Sequence, residues 1–96
     1  RSEVQSHSET LTESILELEK TPDSPTSLER LMRAAHSIKG AARIVGITQA
    51  VEVSHAMEDC FVAAQRGQLT FQPRDIDVLL SGVDLLGQIS SATSQP

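Results

Sequence analysis

Apolar residues recur at spacings of three and four in four separate stretches of this chain, with polar residues between them. In the first stretch Val4, Leu11, Ile15 and Leu18 follow at seven, four and three, which predicts a helix over 4–20. Thr21-Pro22-Asp23-Ser24-Pro25 then breaks the pattern as a turn cluster. A second helix is expected over 26–45, with Leu28, Leu31, Ala35, Ile38, Ala42 and Val45 on one face and Gly46 as its stop. The third is expected over 48–66, with Thr48 as N-cap, Gly67 as terminator and an apolar set of Val51, Met57, Phe61, Val62 and Ala64. Leu69-Thr70-Phe71-Gln72 leads to Pro73, suited to the first position of a fourth helix over 73–91. There Ile76, Leu79, Leu80, Val83, Leu86 and Ile89 form the cleanest stripe in the chain. No stretch alternates with the period of two that a sheet needs. Short connections make consecutive helices antiparallel, so the expected fold is all-α, an antiparallel up-and-down four-helix bundle.

Composition narrows the class. The 96 residues, 39% of them hydrophobic, suit one domain. With Phe61 and Phe71 as the only aromatics, the core must be aliphatic. Residues 1–8 and 92–96 are polar and are expected to be flexible. The chain opens at Arg1 and closes on a Ser/Thr/Gln-rich run, and so reads as a piece of a longer protein. A net charge of -5, with no block of Lys or Arg, argues against nucleic acid and against an anionic membrane surface. The single Cys60 excludes an internal disulfide and is expected to be a plain buried thiol in a reducing cytoplasm. No apolar run approaches the roughly 20 residues of a membrane span.

Against this background His36-Ser37-Ile38-Lys39-Gly40 stands out. Residues at i, i+3 and i+4 share a helix face, and each side chain leans back over the preceding turn, so Lys39 leans toward His36. Gly40 leaves uncovered the place where a side chain would shield the imidazole, although glycine inside a helix costs roughly 1 kcal/mol relative to alanine. His36 falls beside the core face, among Glu29, Arg33, Gly40 and Arg43, at the surface. On the third helix His55 and Glu58 reach similar depth across the seam. The set suits a phosphoryl acceptor: Glu58 accepts from the imidazole Nδ1–H and frees Nε2, His55 completes the network, and Lys39 faces the phosphoryl oxygens, with Arg43 as a second cation. Plainer roles exist for each residue: a solvated His36, a boundary His55, a solvated Glu58, and ordinary surface charges at Arg33 and Arg43. His7 is incidental.

His36-Ser37-Ile38-Lys39-Gly40 resembles the H-x-x-K-G core of histidine phosphotransfer (HPt) domains, and the octad from Arg33 to Gly40 resembles the version in CheA-type chemotaxis kinases. His55-Ala56-Met57-Glu58 is similar to the H-x-M-E segment of the same kinases, and the likeness runs from about Leu28 to Ile89. It implies a helical bundle, expected to be monomeric and cytoplasmic. Its histidine takes phosphate from ATP and magnesium held by a separate kinase domain and hands it to aspartates of response-regulator receiver domains. By residue it implies His36 as acceptor, Lys39 as phosphate-side cation, Gly40 as clearance, and His55 and Glu58 as the orienting pair. The Ala41-Ala42-Arg43 run departs from the glycine-rich CheA pattern and resembles the CheA-like hybrid kinases of Wsp-type surface-sensing systems. The fifth helix of many such domains is absent from the pattern.

The chain shows no glycine-rich phosphate loop and no acidic metal cluster, so it carries phosphate without using ATP unaided, and needs no cofactor of its own. The parent chain is then expected to be a histidine protein kinase. Met32, Arg33, Arg43 and Ile44 form the expected docking ridge. Two rival readings are a zinc site on His36, His55 and Glu58, and a structural or dimerising bundle in which Gly40 has no role.

Overall fold

The computed structural model describes the backbone of residues 3–94 and the side chains of residues 6–89. Four helices follow in order, α1 (Glu3–Lys20), α2 (Pro25–Val45), α3 (Thr48–Gln65) and α4 (Pro73–Ser94), and no strand occurs among the described residues. The expected ends at 1–2 and 95–96, and the side chain of Val4, lie outside the described residues, whereas residues 3–8 and 92–94 belong to α1 and α4.

The boundaries follow from local chemistry. Ser24 caps α2, its Oγ accepting from the Ser27 N–H at 3.3 Å, and Pro25 occupies the first helical position, where a missing N–H costs nothing. The helix thus starts inside the expected turn cluster. At its other end Gly46 adopts the left-handed conformation at φ 76°, its N–H bonding Arg43 O at 3.2 Å while the Ile47 N–H bonds Ala42 O at 2.9 Å. This is the Schellman pattern, which satisfies the last carbonyls of a helix. The Ile47 carbonyl already receives the Val51 N–H, so the connection is two residues long, Ile47 is the N-cap of α3, and Thr48 is helical. The expected Thr48 cap is displaced by this economy. Gly67, at φ 72°, closes α3 with the same pair of bonds, to Ala64 O and Ala63 O. Asp75 in the first turn of α4 accepts the Gln72 N–H at 2.8 Å.

Each helix packs on two neighbours in a closed ring, and α2 on α3 is the broadest contact. Leu11, Ile15 and Leu18 meet Leu28, Leu31, Ala35, Ile38 and Ala42, all buried as expected. On α4, Ile76, Leu79, Val83 and Leu86 are buried, with Leu80 and Ile89 at the margin. The buried line of α3 runs through Ala50, Ser54, Met57 and Phe61, leaving Val51, Val62 and Ala64 half-buried. Ser54 is accommodated because its hydroxyl donates to Ala50 O at 2.6 Å. Phe61 meets Phe71 edge to face with ring centres 6.1 Å apart.

Two expected core positions are exposed. Val45, 67% accessible, ends α2 beyond the depth its neighbours cover and borders a shallow apolar depression with Ile47, Ala50, Leu86 and Ile89. Cys60 is an exposed free thiol, because it stands about 100° around α3 from Phe61, off the buried line.

Phe61 is the largest fully buried side chain, so Phe61→Ala should cost about 3–5 kcal/mol, while Val78→Ala on the exposed face of α4 should change stability by less than about 0.5 kcal/mol. Urea unfolding of the two variants against the parent checks both.

Candidate functional site

The two-residue turn at Gly46-Ile47 makes α2 and α3 an antiparallel pair in fixed register. His36 lies ten residues before Gly46 and Glu58 twelve after it. Helical side chains lean toward the N-terminus of their own helix, which moves His36 away from the turn and Glu58 back toward it. The two meet at one level: His36 Nδ1 stands 2.7 Å from Glu58 Oε2. Lys39, nearer the turn, leans the same way as His36, and its Nζ donates to Glu58 Oε1 at 2.6 Å. One carboxylate therefore holds both side chains, an oxygen for each.

Exposure differs sharply within this trio. Glu58 and Lys39 are 14% and 15% accessible in their side chains, whereas His36 is 68% accessible. The bridge forms the floor and the imidazole stands above it. Burial raises the Glu58 pKa, but the hydrogen bonds from Lys39 and His36 and their charges outweigh it, holding the carboxyl below its ordinary value of 4.5. An ionised carboxylate only accepts hydrogen bonds, so Nδ1 carries the proton and the lone pair of the neutral imidazole lies on Nε2.

Lys39, expected to face incoming phosphoryl oxygens, is turned inward to Glu58. His55, expected to complete the Glu58 network, stands outside it. Its Nε2 lies 3.6 Å from Asp59 Oδ2 on its own helix, and both side chains are exposed. Three residues nearer the turn than Glu58, and leaning further toward it, His55 sits too shallow to reach the level of the His36 ring. Lys39 replaces it as the second partner of Glu58; counting side-chain lean along with residue depth gives this pairing from sequence. Of the rival zinc set, His36 and Glu58 are in contact but His55 turns to Asp59, and among the described residues no three His, Cys, Asp or Glu side chains are grouped to hold a metal ion.

Around the ring, a Cβ placed on Gly40 would meet nothing within 4 Å. Arg33 is committed to Glu29, with Nε at 3.1 Å and Nη2 at 2.8 Å from Oε1. Met32 is half-buried against the core instead of exposed, Arg43 is exposed, and Ile44 is 87% accessible. None of the described helices is long and apolar enough to cross a membrane.

A four-helix bundle that presents an accessible imidazole on a half-buried carboxylate floor has the architecture of a helical phosphotransfer module. A match to the Hpt domain family spans residues 1–89, and the chain belongs to that family: it is a histidine phosphotransfer domain of the kind found in chemosensory kinases. It is 33% identical over 78 residues to the sensor histidine kinase CheAY of Helicobacter pylori, covering 81% of this chain and 10% of that protein. With the chemotaxis protein CheA of Salmonella typhimurium it shares 37% identity over 71 residues, 72% of this chain and 11% of that one. The fold matches the CheA phosphotransferase domain from Thermotoga maritima with a TM-score of 0.86 at 25% identity, over 96% of this chain and 89% of that one. The chain spans about a tenth of the length of the curated relatives it matches.

Because Glu58 is ionised more readily in the folded chain than in the unfolded one, its contribution to stability is complete above the unfolded-state pKa and is lost as pH falls through the folded-state value. The stability advantage of the parent over Glu58→Gln, measured by urea unfolding, should be present at neutral pH and shrink as the pH falls through the folded-state value of Glu58, below the ordinary 4.5.

Proposed function

We propose that His36 is the phosphoacceptor of a chemosensory phosphorelay in the cytoplasm. The Nε2 lone pair attacks the γ-phosphorus of ATP held, with its magnesium ion, by a separate kinase domain. The N–P bond forms as the bond to the β,γ-bridging oxygen breaks, and ADP leaves with that electron pair. In the onward step an aspartate carboxylate of a receiver domain attacks phosphorus, and the N–P electron pair returns to Nε2. Nδ1 keeps its proton throughout, held by Glu58.

The observation that carries this reading is the division of the Glu58 carboxylate between His36 and Lys39. A solvated surface histidine needs no half-buried, charge-compensated acceptor behind it. Glu58 orients the ring and offsets the positive charge that develops on it, while Lys39 keeps Glu58 ionised and in place. The names of the relatives, a sensor histidine kinase and chemotaxis proteins, support a parent chain that is a histidine protein kinase. The ridge of Arg33, Arg43 and Ile44, with the half-buried Met32 at its margin, is the docking surface for kinase and receiver.

Gly40 belongs to the same argument. The domain itself has room for a side chain there, and a helix-interior glycine is costly, so the open space serves an incoming partner. The structural-bundle alternative gives Gly40 no such use.

With an active kinase core, magnesium and labelled ATP, the parent should gain acid-labile, base-stable label. His36→Gln should gain none, and Glu58→Gln should gain it slower by on the order of tenfold to a hundredfold. Absence of label on the folded parent, with a core that labels another acceptor, would sink the reading. Gly40→Gln should keep or raise the melting temperature, since a better helix former enters open space, yet lose most transfer in the same assay. Unimpaired transfer would return Gly40 to a passive role.

A further inference from the structure

The inward turn of Lys39 leaves a chemical gap. A phosphoryl group on Nε2 of His36 carries close to two negative charges, and a cation beside it would favour both its arrival and its retention. Three basic side chains of α2 border the His36 flank: Arg33, Lys39 and Arg43. Lys39 is neutralised by Glu58 in the floor of the site. Arg33 lies on the N-terminal side of His36 and leans away from it, onto Glu29. Arg43 is exposed, and no described residue engages its guanidinium.

Arg43 is also placed to reach. Seven residues make nearly two full turns, so it returns to within about 20° of the His36 direction and stands about 10 Å along the axis. It lies on the C-terminal side, from which helical side chains lean back toward His36. Gly40 sits between the two, and its Cβ position is empty to 4 Å, so the long side chain can lie over that gap. A guanidinium offers two parallel N–H donors to two phosphoryl oxygens.

Resting on His36 as the phosphoacceptor, we infer that Arg43 is the cation that binds the phosphoryl group on His36, reaching it across Gly40, and that Lys39 is a positioning residue acting through Glu58. The absence of a side chain at residue 40 therefore serves an internal reach as well as an external partner.

The test uses phosphoramidate, a small donor that dispenses with kinase docking: Nε2 attacks its phosphorus, the donor's N–P bond breaks and ammonia leaves. Phosphorus NMR follows the appearance of phosphohistidine and the pH at which its resonance titrates. Arg43→Gln should slow labelling about threefold to tenfold, the size of a charge-assisted contact at an exposed site. It should also move the phosphoryl titration to higher pH, because a nearby cation favours the dianion. Arg43→Lys should recover part of the rate, and Arg30→Gln, on the opposite flank of α2, should match the parent. Labelling and titration unchanged in Arg43→Gln, with His36 labelled normally, would overturn the role of Arg43 and leave the phosphoacceptor intact. Failure of the folded parent to label at His36 would remove both.

Discussion

A single carboxylate organises the working face of this domain. Glu58 is enclosed enough to be rigid and charged enough to need compensation, and it receives that from Lys39 and His36 at 2.6 and 2.7 Å. Neither pair alone would do. A lone buried carboxylate tends to take up a proton, and a protonated carboxyl is a poor anchor for the Nδ1–H of an imidazole. With Lys39 on one oxygen the other stays anionic, and the exposed ring gains a fixed tautomer without being buried. Accessibility and orientation, which usually oppose each other at a surface side chain, are reconciled by placing the constraint beneath the ring.

That arrangement depends on register, and register depends on the turn. Gly46 in the left-handed conformation lets α2 end and α3 begin within two residues, so there is little slack with which the helices could slide. A shift of one turn, about 5.4 Å, would bring His55 level with His36 and carry Glu58 past it. The core holds the same register from inside: Leu31, Ala35, Ile38 and Ala42 on α2 are packed in one core with Ala50, Met57 and Phe61 of α3. The chemistry of the rim is thus set by packing that never touches solvent.

The helices were legible because four apolar stripes with helical spacing were separated by Pro and Gly signals, and the bundle followed from the short connections. The third helix was the hardest to read. Its buried line uses Ala50 and Ser54, small or polar residues that a count of large apolar side chains passes over, and the hydroxyl of Ser54 is hidden by its bond to its own backbone. Cys60 and Val45 look apolar in sequence, yet one sits off that line and the other at a helix end. His36, Lys39, Gly40 and Glu58 were legible as a set. What residue counting could not assign was which of His55 and Lys39 joins Glu58, since that is decided by the direction of side-chain lean and not by Cα depth.

The basic residues show why a motif is not yet a mechanism. Lys39 and Arg43 carry the same charge on the same flank, and the motif draws attention to the lysine. Lysine brings a compact ammonium that fits a narrow, partly enclosed place beside one carboxylate oxygen, as Nζ does here. Arginine brings a weakly hydrated fork suited to two oxygens of a tetrahedral anion and a reach that spans a turn left bare by glycine. Exchanging the two would place the larger head in the floor and the shorter arm at the rim. The chemistry of each head group therefore matches the place it occupies, and the local helix geometry, more than the charge itself, decides which cation steadies the acceptor and which can meet what the acceptor carries.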